Sequence, residues 1–395
     1  SEDVTIKVRG VGTFSGDGAK PLVLINGIPG EMANIDPSMI ESVSVLKDAA
    51  SAAIYGARAA NGVIMVTTKQ GADSDGKVNI AYHGNFASHS PSKMFDLVTD
   101  SPEYMRLFNI AKTNSGISGL YPESEIEKYE NSNGDEHYPS FDWLDYMFNP
   151  AFAQNHNLSL AGTADKTTYN VALNYMDQDG TLKSFNYKKY NLTLDLTSQA
   201  TKWMKVGLYA NLMKGDRKYN GYSPSDAMLS TMSQAPTYTP WMPDDGSGVR
   251  RWAHKAYSFE LNNKSMPVII EENLRRHTNN VTDVNAQLWL EINLAKGLTW
   301  YTKGAVRQNN EREEHWIGGS VPMYNFHTGE LSDNQGDPGF EAKEFRTFYT
   351  NLYTYLKYDF TTPNKAHNFS AMAGYSQETN EYKTLVAYRR DYPFD

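Results

Sequence analysis

The sequence predicts an all-β transmembrane barrel preceded by a small mixed α/β domain, and three observations predict it. From about Gly76 onward, apolar and polar residues alternate over segments of roughly ten residues, the length a tilted strand needs to cross a bilayer. The connections between these segments alternate between short and long. Ahead of them, residues 40–71 read as strand, helix, tight glycine turn and strand.

In the first part, VRGVGTFSGDGAKPLVLINGIPG (residues 8–30) places a strand at Leu22–Ile25 and ends it in a glycine turn at Gly27. Val43, Val45 and Leu46 form a second short apolar run. Asp48 is a good N-cap for the alanine-rich helix that follows, and Gly56 sits where a C′ residue must turn left-handed. Asn61-Gly62 turns the chain into the β-branched run Val63–Thr68. Gly27, Gly56 and Gly62 are therefore the expected structural turns of this domain.

Further along, Tyr169, Val171, Leu173 and Tyr175 share one face of residues 167–177, with Asn170, Ala172 and Asn174 on the other. Residues 190–198 set Leu192, Leu194 and Leu196 against Asn191, Thr193, Asp195 and Thr197. Residues 281–292 set Val284, Ala286, Leu288, Leu290 and Ile292 against Asp283, Asn285, Gln287 and Glu291. The expected strands are 78–86, 155–163, 167–177, 190–198, 203–213, 279–293, 298–308, 346–360 and 367–377. A sandwich alternates too. Yet the gaps at 164–166, 199–202, 294–297 and 361–366 are short, and those at 87–154, 178–189, 214–278 and 309–345 are long. Outer-membrane barrels sort their connections in this way, and a sandwich has no reason to. Within the long gaps, Thr99-Asp100-Ser101-Pro102 before Glu103–Ala111 reads as a capped helix, and Ser225–Ser233 as a shorter one.

The chain has 395 residues, a formal charge of −9 and no cysteine. The charge argues against a nucleic-acid partner, since no basic tract neutralises phosphates. Absent cysteine excludes disulfides and thiolate metal sites. No apolar run approaches the ~18 residues of a membrane helix, and Ser1-Glu2-Asp3 does not open a signal peptide.

Motifs for chemistry are sparse. Gly10, Gly12, Gly16 and Gly18 suggest a phosphate cradle, but a strand follows where a dinucleotide fingerprint needs a helix. Asp177-Gln-Asp179-Gly180 alternates carboxylates as calcium loops do, without the remainder of an EF-hand; a turn is the simpler reading. Asp244-Asp245 and Asp333 to Asp337 are read alike, and metal binding stays open. The nine histidines form no His-x-x-x-His pair, and no Gly-x-Ser-x-Gly elbow occurs. The expectation is a non-enzyme without a cofactor. Aromatic residues gather in the gap 214–278: Tyr219, Tyr222, Tyr238, Trp241, Trp252, Tyr257 and Phe259. They suit stacking on sugar rings or peptide side chains, and equally suit packing the loop itself. The first five are the candidate substrate contacts. Arg250-Arg251 and Arg275-Arg276 offer charge for anionic cargo or ordinary solvated surface.

The strings at residues 8–30 and 40–71, with FDWLDYMFNPAFAQNHNLSLAGTADKTTYNVALNYMDQDG at 141–180, resemble SusC/RagA-type TonB-dependent transporters of the Bacteroidetes outer membrane. The resemblance implies a plug domain over 1–76, inside the lumen of a barrel whose first part occupies 77–395. Plugged transporters have about 22 strands, so the nine or so here are expected to be part of a longer polypeptide. A half-barrel would otherwise leave open sheet edges in lipid. A carboxypeptidase-regulatory-like domain, a TonB-binding segment and the second half of the barrel would lie outside it. The resemblance further implies import of oligosaccharide or oligopeptide cargo, a SusD-like surface lipoprotein as lid, the TonB–ExbB–ExbD complex as the source of work, and outer-membrane lipids around the barrel. Asn170, Asn174, Asp195, Asp283 and Glu291 would line the lumen. The rival readings are a non-transporting surface glycan-binding β protein and, third, a secreted glycosidase.

Overall fold

The structure is a computed structural model that describes residues 21–46, 61–69, 71, 77–118, 120–220, 223–260, 275–318, 321–335, 338–363 and 366–390, without the side chains of 275 and 333–335. The glycines at 10–18, the helix expected after Asp48, Gly56 and Tyr222 lie outside the described residues.

The N-terminal part is a four-stranded mixed sheet of β1 (Leu22–Ile25), β2 (Ile28–Pro29), β3 (Ile40–Leu46) and β4 (Val63–Thr68), in the order β2-β1-β4-β3. Asn26-Gly27 joins β1 to β2 with both residues at positive φ, 49° and 85°, the signature of a two-residue hairpin turn. Gly62 also takes positive φ, 94°, before β4. Both described glycine turns are thus positions a side chain would strain.

The second part is a nine-stranded antiparallel sheet. It comprises β5 (Val78–His89), β6 (Ala151–Ala164), β7 (Thr167–Asp179), β8 (Asn186–Thr201) and β9 (Met204–Asn220), then β11 (Arg275–Ala295), β12 (Leu298–Ile317), β15 (Gly339–Thr361) and β16 (Asn368–Arg390). All nine expected strands are present. Each runs on beyond its expected outer end, which shortens the long connections without changing their parity.

Cross-strand register separates the two faces. Tyr82, Leu158, Leu173, Leu192, Leu212 and Val284 stand side by side on one face. One residue away, Asn157, Asn174, Asn191, Met213, Asp283 and Asn309 form the neighbouring row on the opposite face. A one-residue slip would exchange the rows, so the pattern fixes the register. The leucine face is largely exposed, whereas the asparagine face is covered by the N-terminal sheet.

The long connections carry structure of their own. They hold α1 (Ser101–Asn114), α2 (Glu123–Glu130), α3 (Trp143–Met147) and α4 (Pro224–Met232), and the strands β10 (Trp252–Lys255), β13 (Val321–Asn325) and β14 (Leu331–Gln335), which form a third sheet. The expected helices are α1 and α4. Asp100 caps α1 by accepting from the Glu103 amide, and Ser223 caps α4 by accepting from the Asp226 amide. The sequence reading missed α2, α3 and the third sheet.

Candidate functional site

Two places hold function-bearing side chains: the seat between the N-terminal sheet and the polar wall, and the assembly built by the long connections.

At the seat, donors on the wall meet backbone carbonyls of the N-terminal sheet and its turns. The Asn-Gly hairpin is held by Asn26 Nδ2 donating to Thr68 Oγ1 (2.8 Å) and the Thr68 amide donating to Asn26 Oδ1 (3.1 Å). That fixes the Asn26 carbonyl where Lys303 Nζ donates to it. Gln287 Nε2 donates to the Ile25 carbonyl (3.2 Å), and Asn170 Nδ2 to that of Lys69 (3.0 Å). Asn191 and Asn211 both donate to the Asn34 carbonyl, at 2.8 and 3.2 Å, while Lys189 reaches that of Ala33. Asp36 caps the 3-10 turn Pro37–Met39 through Oδ1 and accepts from Asn157 Nδ2 through Oδ2 (2.8 Å).

Among the described residues, one ion pair crosses the seat. Arg307 donates through Nε and a terminal nitrogen to Asp283 Oδ2, at 2.9 and 2.8 Å, and reaches Glu31 Oε1 at 3.1 Å. Asp283 is 2% exposed and also accepts from Asn309 Nδ2 at 3.1 Å. Apolar contact is modest. Ala172 and Tyr209 join Ile25, Ile35, Met39, Ile64 and Val66, and Ile28 packs with Ala305 and Tyr349.

Four of the five expected interior residues cluster here. Asn170, Asp195 and Asp283 are buried beneath the N-terminal sheet, and Glu291 lines a cavity with Asp195, Lys303, Asn26 and Thr67. Asn174 lies on the same face but bonds Asn155 Oδ1 within the wall, at 2.7 Å. Sequence reasoning put Gln287 on the polar face without singling it out, and missed Lys303, Arg307 and Asn211, although each lies in phase with the polar rows.

The long connections condense around a carboxylate. Glu260 accepts from Tyr121 Oη (2.9 Å), the Ala256 and Tyr257 amides (2.9 and 3.0 Å) and the Thr237 hydroxyl. Burial holds its pKa above the ordinary carboxylate value, against the pull of those donors. Tyr129 donates to the Thr237 carbonyl at 2.7 Å and contacts His327 Nε2 at 3.0 Å; Tyr257 donates to Glu125 Oε2 at 3.1 Å. Burial pushes the Tyr121 and Tyr129 hydroxyls far up, so both stay protonated donors. Trp143 Nε1 donates to the Ala235 carbonyl (2.8 Å) in a core with Tyr238, Phe326 and Ala253. These bonds tie three separate long connections into one body.

That packing takes Tyr238 and Trp252 out of reach as substrate contacts. Tyr238 is buried and donates to Gln234. Trp252 is buried under Trp241, their ring centroids 3.5 Å apart, with Arg250 above Trp241. Tyr219 leaves the loop region altogether: it stands at the end of β9, with its hydroxyl 3.1 Å from His277 Nε2. Tyr238, Trp241 and Trp252 pack within the assembly because each gains more from aromatic neighbours than from water. Two of the three acidic runs are also accounted for, the side chains of 333–337 lying outside the described residues. Asp177 is bonded to Tyr175, Asn186 and Lys188, while Asp244 and Asp245 cap turns at Gly246 and Ser247.

Comparison with known proteins agrees with this layout. Residues 1–63 match the family described as TonB-dependent Receptor Plug Domain. TonB-dependent receptor P39 of Formosa agariphila is 25% identical over 99% of the chain and 35% of its own length. TonB-dependent receptor SusC of Bacteroides thetaiotaomicron is 28% identical over 54% of the chain and 20% of its own length. In the RagAB peptide importer in its "open-open" state, one chain superposes with a TM-score of 0.72 at 21% identity, over 95% of this chain and 43% of that one. The chain thus spans about a third or less of the length of these curated relatives.

Proposed function

We propose that this chain, a plug with the first part of the barrel of a SusC/RagA-type TonB-dependent outer-membrane transporter, belongs to an active importer of oligosaccharides or oligopeptides. The observation that carries the reading is the seat. The plug rests on the wall mainly through hydrogen bonds to turn carbonyls, each worth about 0.5–1.5 kcal/mol net because water replaces it when broken. A plug held in this way closes the lumen at rest and moves aside under modest force. Work would come from the TonB–ExbB–ExbD complex, pulling on a segment ahead of the plug. The ordered loop assembly would receive a SusD-like lipoprotein lid and, with it, the cargo. Residues 1–76 are assigned to the plug, and 77–395 to barrel strands and their outer loops. The apolar face of the wall would meet outer-membrane lipid, and no step calls for catalysis.

These 395 residues hold no cysteine, so within them only an introduced pair can react. Asn34→Cys with Asn191→Cys in the full-length protein, joined by a reducible thiol cross-linker, tethers plug to wall. Uptake of labelled oligosaccharide or oligopeptide mixtures should stop under the tether and resume on reduction. Uptake unaffected by a quantitative tether would refute plug displacement. A surface glycan-binding protein without transport would bind cargo equally in both states.

A further inference from the structure

The seat and the loop assembly leave one cluster unexplained. At the long-connection end of the wall, His277 on β11 stands directly across from His315 on β12, ring centroids 3.3 Å apart. Glu313, two residues before His315, projects from the same face because side chains alternate along a strand. One ligand-capable atom from each residue lies within 4.8 Å of the other two. Bond lengths of about 2.0–2.2 Å to nitrogen and oxygen place ligand atoms of a tetrahedral zinc site roughly 3.3–3.5 Å apart. Side-chain rotations of about an ångström close the difference.

We propose that His277, Glu313 and His315 bind a zinc-class divalent cation on the interior face of the wall, beyond the plug. Two imidazoles and one carboxylate form a ligand set that favours zinc, and also nickel or copper, over calcium and magnesium, which prefer all-oxygen shells. The surroundings supply the orienting contacts such sites use. Tyr219 Oη lies 3.1 Å from His277 Nε2, which leaves Nδ1 for the metal, and Asn279 Nδ2 reaches Glu313 Oε1 at 3.4 Å while binding Glu311 Oε1 at 2.6 Å. His277 is buried, whereas Glu313 and His315 are only partly so, which leaves a way in. Glu341 on β15 stands directly opposite His315, now paired with Lys343 at 3.0 Å, and can take the fourth position in place of water.

Full-length protein purified in detergent and stripped with a chelator would be titrated with zinc ion alone against a chromophoric competitor. Expected is one equivalent bound with micromolar or tighter affinity, weakened at least tenfold by Glu313→Gln and by His315→Gln. His156→Gln, on the lipid-side face beside Tyr82, should bind as the parent does. Heat-modifiable mobility verifies that each variant is folded. Should the variants misfold, diethylpyrocarbonate labelling of the unaltered protein decides: zinc should shield His277 and His315 and leave His156 reactive. Unchanged affinity in folded variants, binding only at millimolar zinc, or no shielding would each overturn the assignment.

Discussion

The plug seat and the loop assembly occupy opposite parts of the same wall and are packed by opposite means. Wall amides and ammonium groups hold the plug by its carbonyls, around a thin apolar contact of Ala172 and Tyr209. The loop assembly is a set of aromatic cores, with Trp143, Tyr238 and Phe326 in one and Tyr121, Tyr129 and Met105 in another. Burial of apolar surface is lost in full when such a core opens, at about 25 cal/mol per Å². Hydrogen bonds to carbonyls are largely recovered from water. One contact therefore costs less to separate than the other, although both join segments far apart in sequence.

The comparison breaks most sharply at Trp143. Trp143→Ala removes a buried ring and the bond to the Ala235 carbonyl, and should destabilise the loop assembly by about 3–5 kcal/mol. Limited proteolysis should then cut within 90–150 and 221–274, while the barrel keeps its heat-modifiable mobility. Loss of the barrel together with the loops would show that the two are not independent.

The seat's largest single dependence is Asp283. Asp283→Ala leaves the Arg307 guanidinium buried with only Glu31, whose side chain is 63% exposed. Breaking a buried pair costs about 3–5 kcal/mol, and Glu31 together with water should keep the loss near the lower end. The readout is plug release, measured as single-channel conductance through the full-length protein, with the loops still resistant to protease. Asn191→Ala with Asn211→Ala should have a smaller effect of the same kind, about 1–2 kcal/mol together, since both donate to one carbonyl. A double variant that exceeded Asp283→Ala would mean the amides, and not the ion pair, dominate the seat.

The strands were legible because a barrel wall has one dry face, and Leu192, Leu194 and Leu196 against Asn191, Thr193 and Asp195 is its direct imprint. Their outer ends were not. Over residues 309–315, Asn-Asn-Glu-Arg-Glu-Glu-His, both faces are polar, so alternation disappears while the ladder with β11 continues. The helix α1 announced itself through Asp100 and Pro102, local signals that need no partner. In contrast, β10 pairs with β13 across a long stretch of sequence, and nothing local marks either. The burial of Tyr238 and Trp252 was invisible for the same reason: composition tells where rings are, and only the fold tells what covers them. The histidine pair escaped a search for helical spacing because strand geometry puts i and i+2 on one face and brings the third ligand from a neighbouring strand.

The smallest expected effect concerns pH and separates two buried groups within the loop assembly. Burial raises the pKa of Glu260, so between the ordinary carboxylate value and that raised value the folded loops hold a proton that the unfolded loops have released. Stability from this group falls as pH rises. His327 has the opposite sign. Burial lowers its pKa below the ordinary 6.5, so just below that value the unfolded loops bind a proton that the folded loops refuse, and stability falls as pH drops. Glu125, lowered mainly by its bond from Lys128, acts only below the ordinary carboxylate range and stays out of the window. Where the two windows overlap, above the ordinary carboxylate value and below 6.5, the two slopes oppose each other, and the unaltered loops should change less than either variant. His327→Gln removes one slope: its loops should become more resistant to protease as pH falls through that window. Glu260→Gln, if the loops still close, should make them less resistant. A His327→Gln protein whose loops loosened on acidification would show that Glu260 is ionised in the fold without penalty, held by its four donors instead of opposed by its burial.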